Sequence, residues 1–428
     1  MSTAPDGYQR RIVDDELDEV LSGLPVVALE GAKAVGKTST ALRRARTVHR
    51  LDEVSERSVV EADPARLLDG APPILVDEWQ YVPDSWNLVR RAVDEGAAPG
   101  RFLLTGSTSP QAPPTHSGAG RIVSVRMRPL ALSERGIELP TVSLGALLSG
   151  DRPSVRGDTG VRLEGYVEEI LSSGFPGLRG YSGRPLRAQL DSYLARVVDR
   201  DFDEAGHAVR KPAALRRWLT AYAAASSTTA TFETIADAAT GSRGERLSRS
   251  TTIVYRDVLE RLWILDPVPA WSPTRNRLRR LSSPPKHQLA DPALGARLLG
   301  VDAEALLTAD AVGPPVPRDG TLLGALFESL VTLSVRVYAQ ASEARVAHLR
   351  TVAGEHEVDL IAERADGRLV AIEVKLARAV GDGDVRGLRW LADRIGDDLL
   401  DAVVVTTGPQ AYRRQDGIAV VPAALLGP

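Results

Sequence analysis

The stretch Gly31-Ala32-Lys33-Ala34-Val35-Gly36-Lys37-Thr38 constrains this chain more than any other, because it satisfies the G-x-x-x-x-G-K-[ST] pattern completely. Val26–Leu29 is an apolar run leading in, and Ser39–Val48 has a helical pattern leading out. A strand, a turn and a helix are therefore expected in that order. Glycines in such a turn let backbone amides curl around a phosphate, and the helix N-terminus adds a favourable dipole. Gly31, Ala34, Val35, Gly36, Lys37, Thr38 and Ser39 are the expected nucleotide-binding residues. Lys37 would lie between the β- and γ-phosphates of ATP, and Thr38 would ligate Mg²⁺. A second apolar run, Ile74-Leu75-Val76, ends in Asp77-Glu78. Asp77 is expected to support the Mg²⁺, and Glu78 to act as general base on the attacking water. A later run ends Leu104-Thr105-Gly106-Ser107, where Thr105 or Ser107 would sense the γ-phosphate; an ordinary strand-to-loop turn has the same appearance.

Around this motif the first ~200 residues alternate short apolar runs with helical patterns, the rhythm of an α/β domain. Strands are expected at Val26–Glu30, Val59–Asp63, Ile74–Asp77, Phe102–Thr105 and Ile122–Met127, with a loop at Ser109–Gly120. Ala208–Trp271 is mainly helical: a short helix at Phe232–Ala238, a longer one at Ser248–Leu262, then an extended return at Trp263–Pro269. That order suggests a winged helix, with a helical lid as the alternative. Ser272–Pro285, with four arginines and three prolines, reads as a basic linker. Beyond Thr321 a helix (Leu322–Tyr338) precedes strands at Arg345–Thr351, Glu357–Ala362 and Leu369–Leu376, then a helix at Val385–Ile395 and a strand at Ala402–Thr406. A chain of 428 residues is long enough for two or three domains. The boundaries expected are 1–205, 206–285 and 286–428.

Composition narrows the function classes. The formal net charge is −3, so any contact with nucleic acid needs a local basic patch and not a global field. With no cysteine there are no disulfides, thiolate zinc sites or cysteine nucleophiles, which fits a reducing compartment. Met1–Asp15 has no apolar core of signal-peptide length, and no run approaches the ~18 apolar residues of a membrane span, so a cytoplasmic protein with no membrane partner is expected. The six histidines show no ligand spacing. One bias is informative. There are 48 arginines but only five lysines, at Lys33, Lys37, Lys211, Lys286 and Lys375. Where arginine is the default, a lysine that remains deserves a reason.

Glu373-Val374-Lys375 lies in an apolar run, which as a strand puts Glu373 and Lys375 on one face. Asp359 is on the preceding strand and Glu328 on the helix before both. This frame resembles PD-(D/E)XK nucleases. The resemblance implies that Asp359, Glu373 and Lys375 are catalytic and that Asp359 and Glu373, assisted by Glu328, share Mg²⁺ or Mn²⁺. Lys375 would orient the water or stabilise the transition state.

Over most of its length the chain resembles the bacterial and archaeal AAA-like ATPases with a nuclease-like C-terminal domain. The residues that carry this are the glycine-rich motif, Asp77-Glu78-Trp79-Gln80, Leu104-Thr105-Gly106-Ser107, Arg128-Pro129-Leu130, Gly174-Phe175-Pro176, Phe327-Glu328, Glu357-Val358-Asp359 and Ile372-Glu373-Val374-Lys375. It departs at Lys33-Ala34, where the family usually has Arg-Gln, and at Gly177, where an acid is common. The resemblance implies an α/β fold of three parts: a P-loop NTPase domain, a helical, winged-helix middle domain, and a C-terminal restriction-endonuclease-like α/β domain. It also implies an arginine finger, often from a neighbouring subunit of a homo-oligomer; Arg121 and Arg200 are the candidates by position. The leading expectation is an ATP-hydrolysing protein that acts on DNA as a nucleotide-gated, metal-dependent nuclease. The alternatives are an ATP-dependent DNA-binding regulator whose nuclease-like domain does not cleave, and an ATPase that remodels a protein partner.

Overall fold

A computed structural model of the chain describes residues 8–106, 118–240, 247–272, 283–308, 321–351 and 354–428. Five short runs build the first sheet: β1 (Val26–Glu30), β2 (Thr47–Arg50), β3 (Ile74–Asp77), β4 (Phe102–Gly106) and β5 (Val123–Arg126). Their order is β2-β3-β4-β1-β5, and every neighbouring pair is parallel. A parallel sheet is covered on both faces, so its central strands are apolar throughout and do not alternate. Accordingly every residue of β3 and β4 is buried. Parallel strands end on one edge, where open α/β sheets bind ligands. The ends of β1, β3 and β4 meet there, with β4 between the other two.

Two expectations are corrected here. The helix after the glycine-rich turn is Lys37–Leu42 and does not reach Val48, which lies in β2. Val59–Asp63 is no strand; it falls in the Val54–Ala62 helix and its C-cap. The adjacent Val59 and Val60 imitate a buried strand, but Val60 alone is buried. β2, an edge strand with no fully buried residue, has too weak an apolar signal to stand out.

The middle of the chain packs three helices, Pro212–Ala224, Phe232–Ala238 and Arg249–Arg261. Thr231 and Ser248 cap the second and third, each hydroxyl accepting a backbone N–H three residues on. Trp218, Tyr222, Ile235, Tyr255 and Leu259 meet between them, in a core continuous with Val35 of the glycine-rich turn and with Leu289. After the third helix the chain runs out and returns as two extended arms, joined by antiparallel bridges Leu265↔Leu289 and Val268↔Lys286. Most of Ser109–Gly120 and Ser272–Pro285, and all of Ser107, lie outside the described residues.

The second sheet draws on much of the chain. β7 (Gly157–Asp158) and β8 (Ala270–Trp271) flank its main C-terminal strands, while β6 (Val142–Ser143) lies apart in a two-stranded sheet. Those are β9 (Arg345–Arg350), β10 (Glu357–Glu363), β11 (Leu369–Lys375), β12 (Leu399–Thr406), β13 (Gln410–Arg413) and β14 (Ala419–Pro422); β15 (Leu426–Gly427) is the partner of β6. The order is β7-β13-β14-β12-β11-β10-β9-β8. β9, β10 and β11 form an antiparallel meander, and the Arg386–Ile395 helix then crosses over to β12, which runs parallel to β11.

On one face lies the Leu322–Ala341 helix, with Leu326, Phe327 and Leu330 against Val370 and Ile372. The other face packs Leu388 and Leu391 against Leu369 and Ala371. Leu322–Ala341 also amends an expectation: by length and composition it is apolar enough to cross a membrane, and most of it is buried inside the protein.

Candidate functional site

The glycine-rich turn is built as a nest of backbone amides. Gly36 (φ 101°) and Ala34 (φ 67°) occupy the left-handed region, and a side chain at Gly31 would put its Cβ 2.1 Å from the Met127 carbonyl. Lys37 is buried, and its Nζ donates to the Gly31 and Ala32 carbonyls, each at 2.9 Å. Burial pushes its ammonium down to about 8, against the opposing pull of Glu78 and Asp77.

Asp77 accepts two hydroxyls. Thr38 Oγ1 donates to Asp77 Oδ1 at 2.7 Å, and Thr105 Oγ1 donates to the same oxygen. Thr105, expected as a sensor, is thereby held on the acid at the end of the adjacent strand. Glu78 follows in the left-handed region (φ 54°), and Gln80 Nε2 donates to its carboxylate. Thr38 and Asp77 together are an oxygen donor set suited to Mg²⁺. Ser39 lines a neighbouring cavity of about 660 Å³ with Tyr8, Arg11, Gly36 and Arg43.

Sequence reasoning missed two supports of this turn. Arg11 is buried and donates to Glu134 Oε1 (2.9 Å), to the Val35 carbonyl (3.0 Å) and to the Arg128 carbonyl (2.8 Å). No local spacing could have revealed a pair so far apart in the chain. Lys33 donates to Asp201 (2.7 Å) and Glu204 (2.6 Å), tying the turn to the segment that leads into the three helices. Of the arginine-finger candidates, Arg121 is exposed and paired with Asp94 at 2.8 Å, and Arg200 is exposed beside Asp201.

In the second sheet the strands bring Asp359, Glu373 and Lys375 close together. Asp359 Oδ2 accepts the Val374 N–H at 2.9 Å, and Lys375 Nζ pairs with Glu373 Oε1 at 3.0 Å. Glu373 Oε2 is buried without a hydrogen-bond partner. Burial, and then Asp359, push the Glu373 carboxyl well above its usual range.

Among the described residues Glu328, Asp359 and Glu373, expected to share a metal, do not form a metal site. Lys286 does what a metal was expected to do. Its side chain is 1% exposed, and its Nζ lies 2.8 Å from Glu328 Oε1, 3.0 Å from Asp359 Oδ1 and 3.3 Å from Glu357 Oε1. Burial opposes its charge, but Asp359, Glu328 and Glu357 outweigh that and hold the ammonium well above its usual range. Burial would likewise raise Asp359, yet Lys286 and then Lys375 hold it below the usual carboxylate range. Glu328 is pushed by burial up to about 8, with Lys286 opposing. Among the described residues no group of three or more histidines and carboxylates is arranged to hold a metal ion. With an ammonium inside it, the cluster does not fit a divalent cation. In the sequence Lys286 stands out only as one of five lysines, and no motif assigns it a place.

Comparison with known proteins matches three stretches of the chain to family models. Residues 24–135 match an AAA domain, 163–305 a domain of unknown function (DUF8612), and 323–426 another (DUF4143). Uncharacterized proteins of Mycobacterium tuberculosis and Mycobacterium bovis are each 27% identical over 301 residues, which is 69% of this chain. The match spans 60% of the length of each of these relatives. A solved Walker-type ATPase of Pyrococcus abyssi shares 16% identity at a TM-score of 0.40, over 69% of this chain and 97% of that one. The AAA match falls on the glycine-rich turn, Asp77 and Thr105. The chain carries an ATPase domain of the P-loop type.

Proposed function

We propose that this chain is an ATP-hydrolysing switch that acts on DNA, with a C-terminal domain of the PD-(D/E)XK nuclease type. The observation that carries the hydrolytic half is the convergence of Thr38 and Thr105 on Asp77, with Glu78 one residue beyond. Lys37 and the amides of the turn bind the phosphates, Thr38 and Asp77 hold Mg²⁺, and Glu78 takes the proton of the attacking water. Bound Mg²⁺ supplies charge neutralisation at the phosphates. The cavity beside Ser39 has room for the base and sugar. An arginine from a second copy of the chain would complete this site, with Arg121 and Arg200 as the candidates.

For the DNA half, the support is the frame of the second sheet. A helix, three antiparallel strands, a crossover helix and a parallel strand bring Asp359, Glu373 and Lys375 together. The three helices and their two extended arms fit a winged-helix DNA reader, and the Ser272–Pro285 stretch between the arms in the sequence carries four arginines. A second reading, a regulator that binds DNA without cutting it, draws on one observation: Lys286 fills the carboxylate cluster.

The test is incubation of purified protein with plasmid and linear single- and double-stranded DNA, with Mg²⁺ or Mn²⁺, with and without ATP. Lys37→Ala and Lys375→Ala run beside it. Cleavage that disappears in Lys375→Ala, with its ATP dependence abolished in Lys37→Ala, is the expected result. ATP hydrolysis with no cleavage under any condition would promote the regulator. Hydrolysis that survives in Lys37→Ala would remove the ATPase assignment.

A further inference from the structure

Ala34, within the phosphate-binding turn, has left-handed backbone (φ 67°) although it is not glycine. A Cβ disfavours that conformation by crowding the neighbouring carbonyl, whereas glycine takes it freely. Ala34 therefore depends on contacts around it to stay there. The peptide bond that precedes it is held from outside the turn: the Tyr193 hydroxyl donates to the Lys33 carbonyl at 3.2 Å. Tyr193 belongs to the Gly183–Arg196 helix, and its ring lies 4.9 Å from the ring of buried Phe175. Two residues on, the pattern repeats at Gly36 (φ 101°), where Arg11 donates to the Val35 carbonyl at 3.0 Å. Glycine needs no such help with its conformation, so Ala34 is where an outside contact weighs most.

In a trans peptide the N–H points away from the C=O. A donor on the Lys33 carbonyl thus sets the direction of the Ala34 N–H and, with it, the rotation about the Ala34 N–Cα bond. We propose that Tyr193 is a positioning residue for ATP: by holding the Lys33 carbonyl, it keeps Ala34 left-handed and its amide aimed at the phosphates. The proposal rests on the ATPase reading of the turn. Without the hydroxyl, the Lys33–Ala34 peptide turns to relieve the side chain at position 34. ATP then binds only the fraction of molecules that still presents the amide. Molecules that do bind have the complete cradle, so the loss falls on KM and spares kcat.

Calorimetric binding of ATP and steady-state ATP hydrolysis by the full-length protein test this. Tyr193→Phe removes one hydroxyl from a partly exposed side chain and keeps the ring against Phe175, so the fold stands. Its Kd and KM for ATP should rise about tenfold, with kcat within about twofold of the unaltered protein. The deciding variant is Tyr193→Phe/Ala34→Gly. Glycine populates the left-handed region about as readily as the right-handed one, so this double variant should return to within about threefold of the unaltered protein. A lost hydroxyl that merely loosened the Gly183–Arg196 helix would not be repaired by a change in the turn.

An unchanged KM in Tyr193→Phe overturns the proposal, as does a loss of affinity that Ala34→Gly does not restore. A fall in kcat at constant KM overturns it as well. Should the unaltered protein show no Lys37-dependent ATP hydrolysis, the ATPase reading falls and the positioning role with it. Lys37-dependent hydrolysis, with Tyr193→Phe indistinguishable from the unaltered protein, removes the positioning role alone.

Discussion

At the scale of single residues, burial sets the charge of the groups around Lys286. His348 is 1% exposed, its Nε2 lies 3.1 Å from the Pro284 carbonyl, and its Nδ1 has no partner. Burial, and then the Lys286 ammonium, lower its pKa from 6.5 to about 4. The sign follows from which state binds the proton. Between pH 6.5 and 4 the unfolded chain protonates this imidazole and the folded one does not, so stability is lost as pH falls through that window. The loss is at most about 3 kcal/mol, at 1.36 kcal/mol per pKa unit. Glu328, raised to about 8, acts with the opposite sign: the folded state takes up its proton first, and stability rises as pH falls from about 8 toward 4.5. Urea unfolding of the unaltered protein and His348→Asn at pH 7 and pH 4.5 separates the two effects. The unaltered protein should lose more stability over that interval; equal losses would mean His348 is not held neutral.

At the scale of elements, patterns of period two and 3.6 located most of the second sheet, because its strands alternate one packed face with the other. Val370, Ile372 and Val374 join the core on one side, and Leu369 and Ala371 the core on the other. Glu373 and Lys375 continue the latter set, which is why they were legible as a pair. Close approach between elements was not legible. A Cβ on Gly387, at the start of the Arg386–Ile395 helix, would sit 2.2 Å from the Glu357 carbonyl of β10. Gly387→Ala should push this helix off the strand that carries Glu357 and Asp359, costing about 1–3 kcal/mol in chemical denaturation. A neutral result would show that helix and strand can separate freely.

At the scale of the whole molecule, Asp266 joins three parts of the chain. Arg126 at 3.0 Å, Arg128 at 2.9 Å and Arg336 at 2.8 Å surround its buried carboxylate. Burial would raise this carboxyl, but Arg128, Arg336 and Arg126 outweigh it and hold it far below the usual range. Asp266→Asn removes the charge and leaves three largely buried guanidinium groups facing one another. Breaking a buried pair in this way costs about 3–5 kcal/mol. The expected outcome is a loss of that order in urea unfolding, with the first sheet and the Leu322–Ala341 helix no longer melting together. A change within about 0.5 kcal/mol, as for a surface substitution, would show that Asp266 does not hold the parts together.

The sequence by itself determined the elements that local chemistry dictates. The glycine-rich turn needs its glycines for left-handed backbone, the acids after Ile74–Val76 end a buried strand, and Glu373 and Lys375 alternate on theirs. Those signals act over a few residues, so they survive in a single string. What only the tertiary structure decided depends on residues distant in the chain: Arg11 on Glu134, Thr105 on Asp77, three arginines on Asp266, and Lys286 among Glu328, Glu357 and Asp359. A buried charge is stable only beside its counter-charge, and no periodicity records where folding will bring that partner. For Lys286 the sequence held one clue, a lysine kept where arginine is the rule. The fold supplied its place.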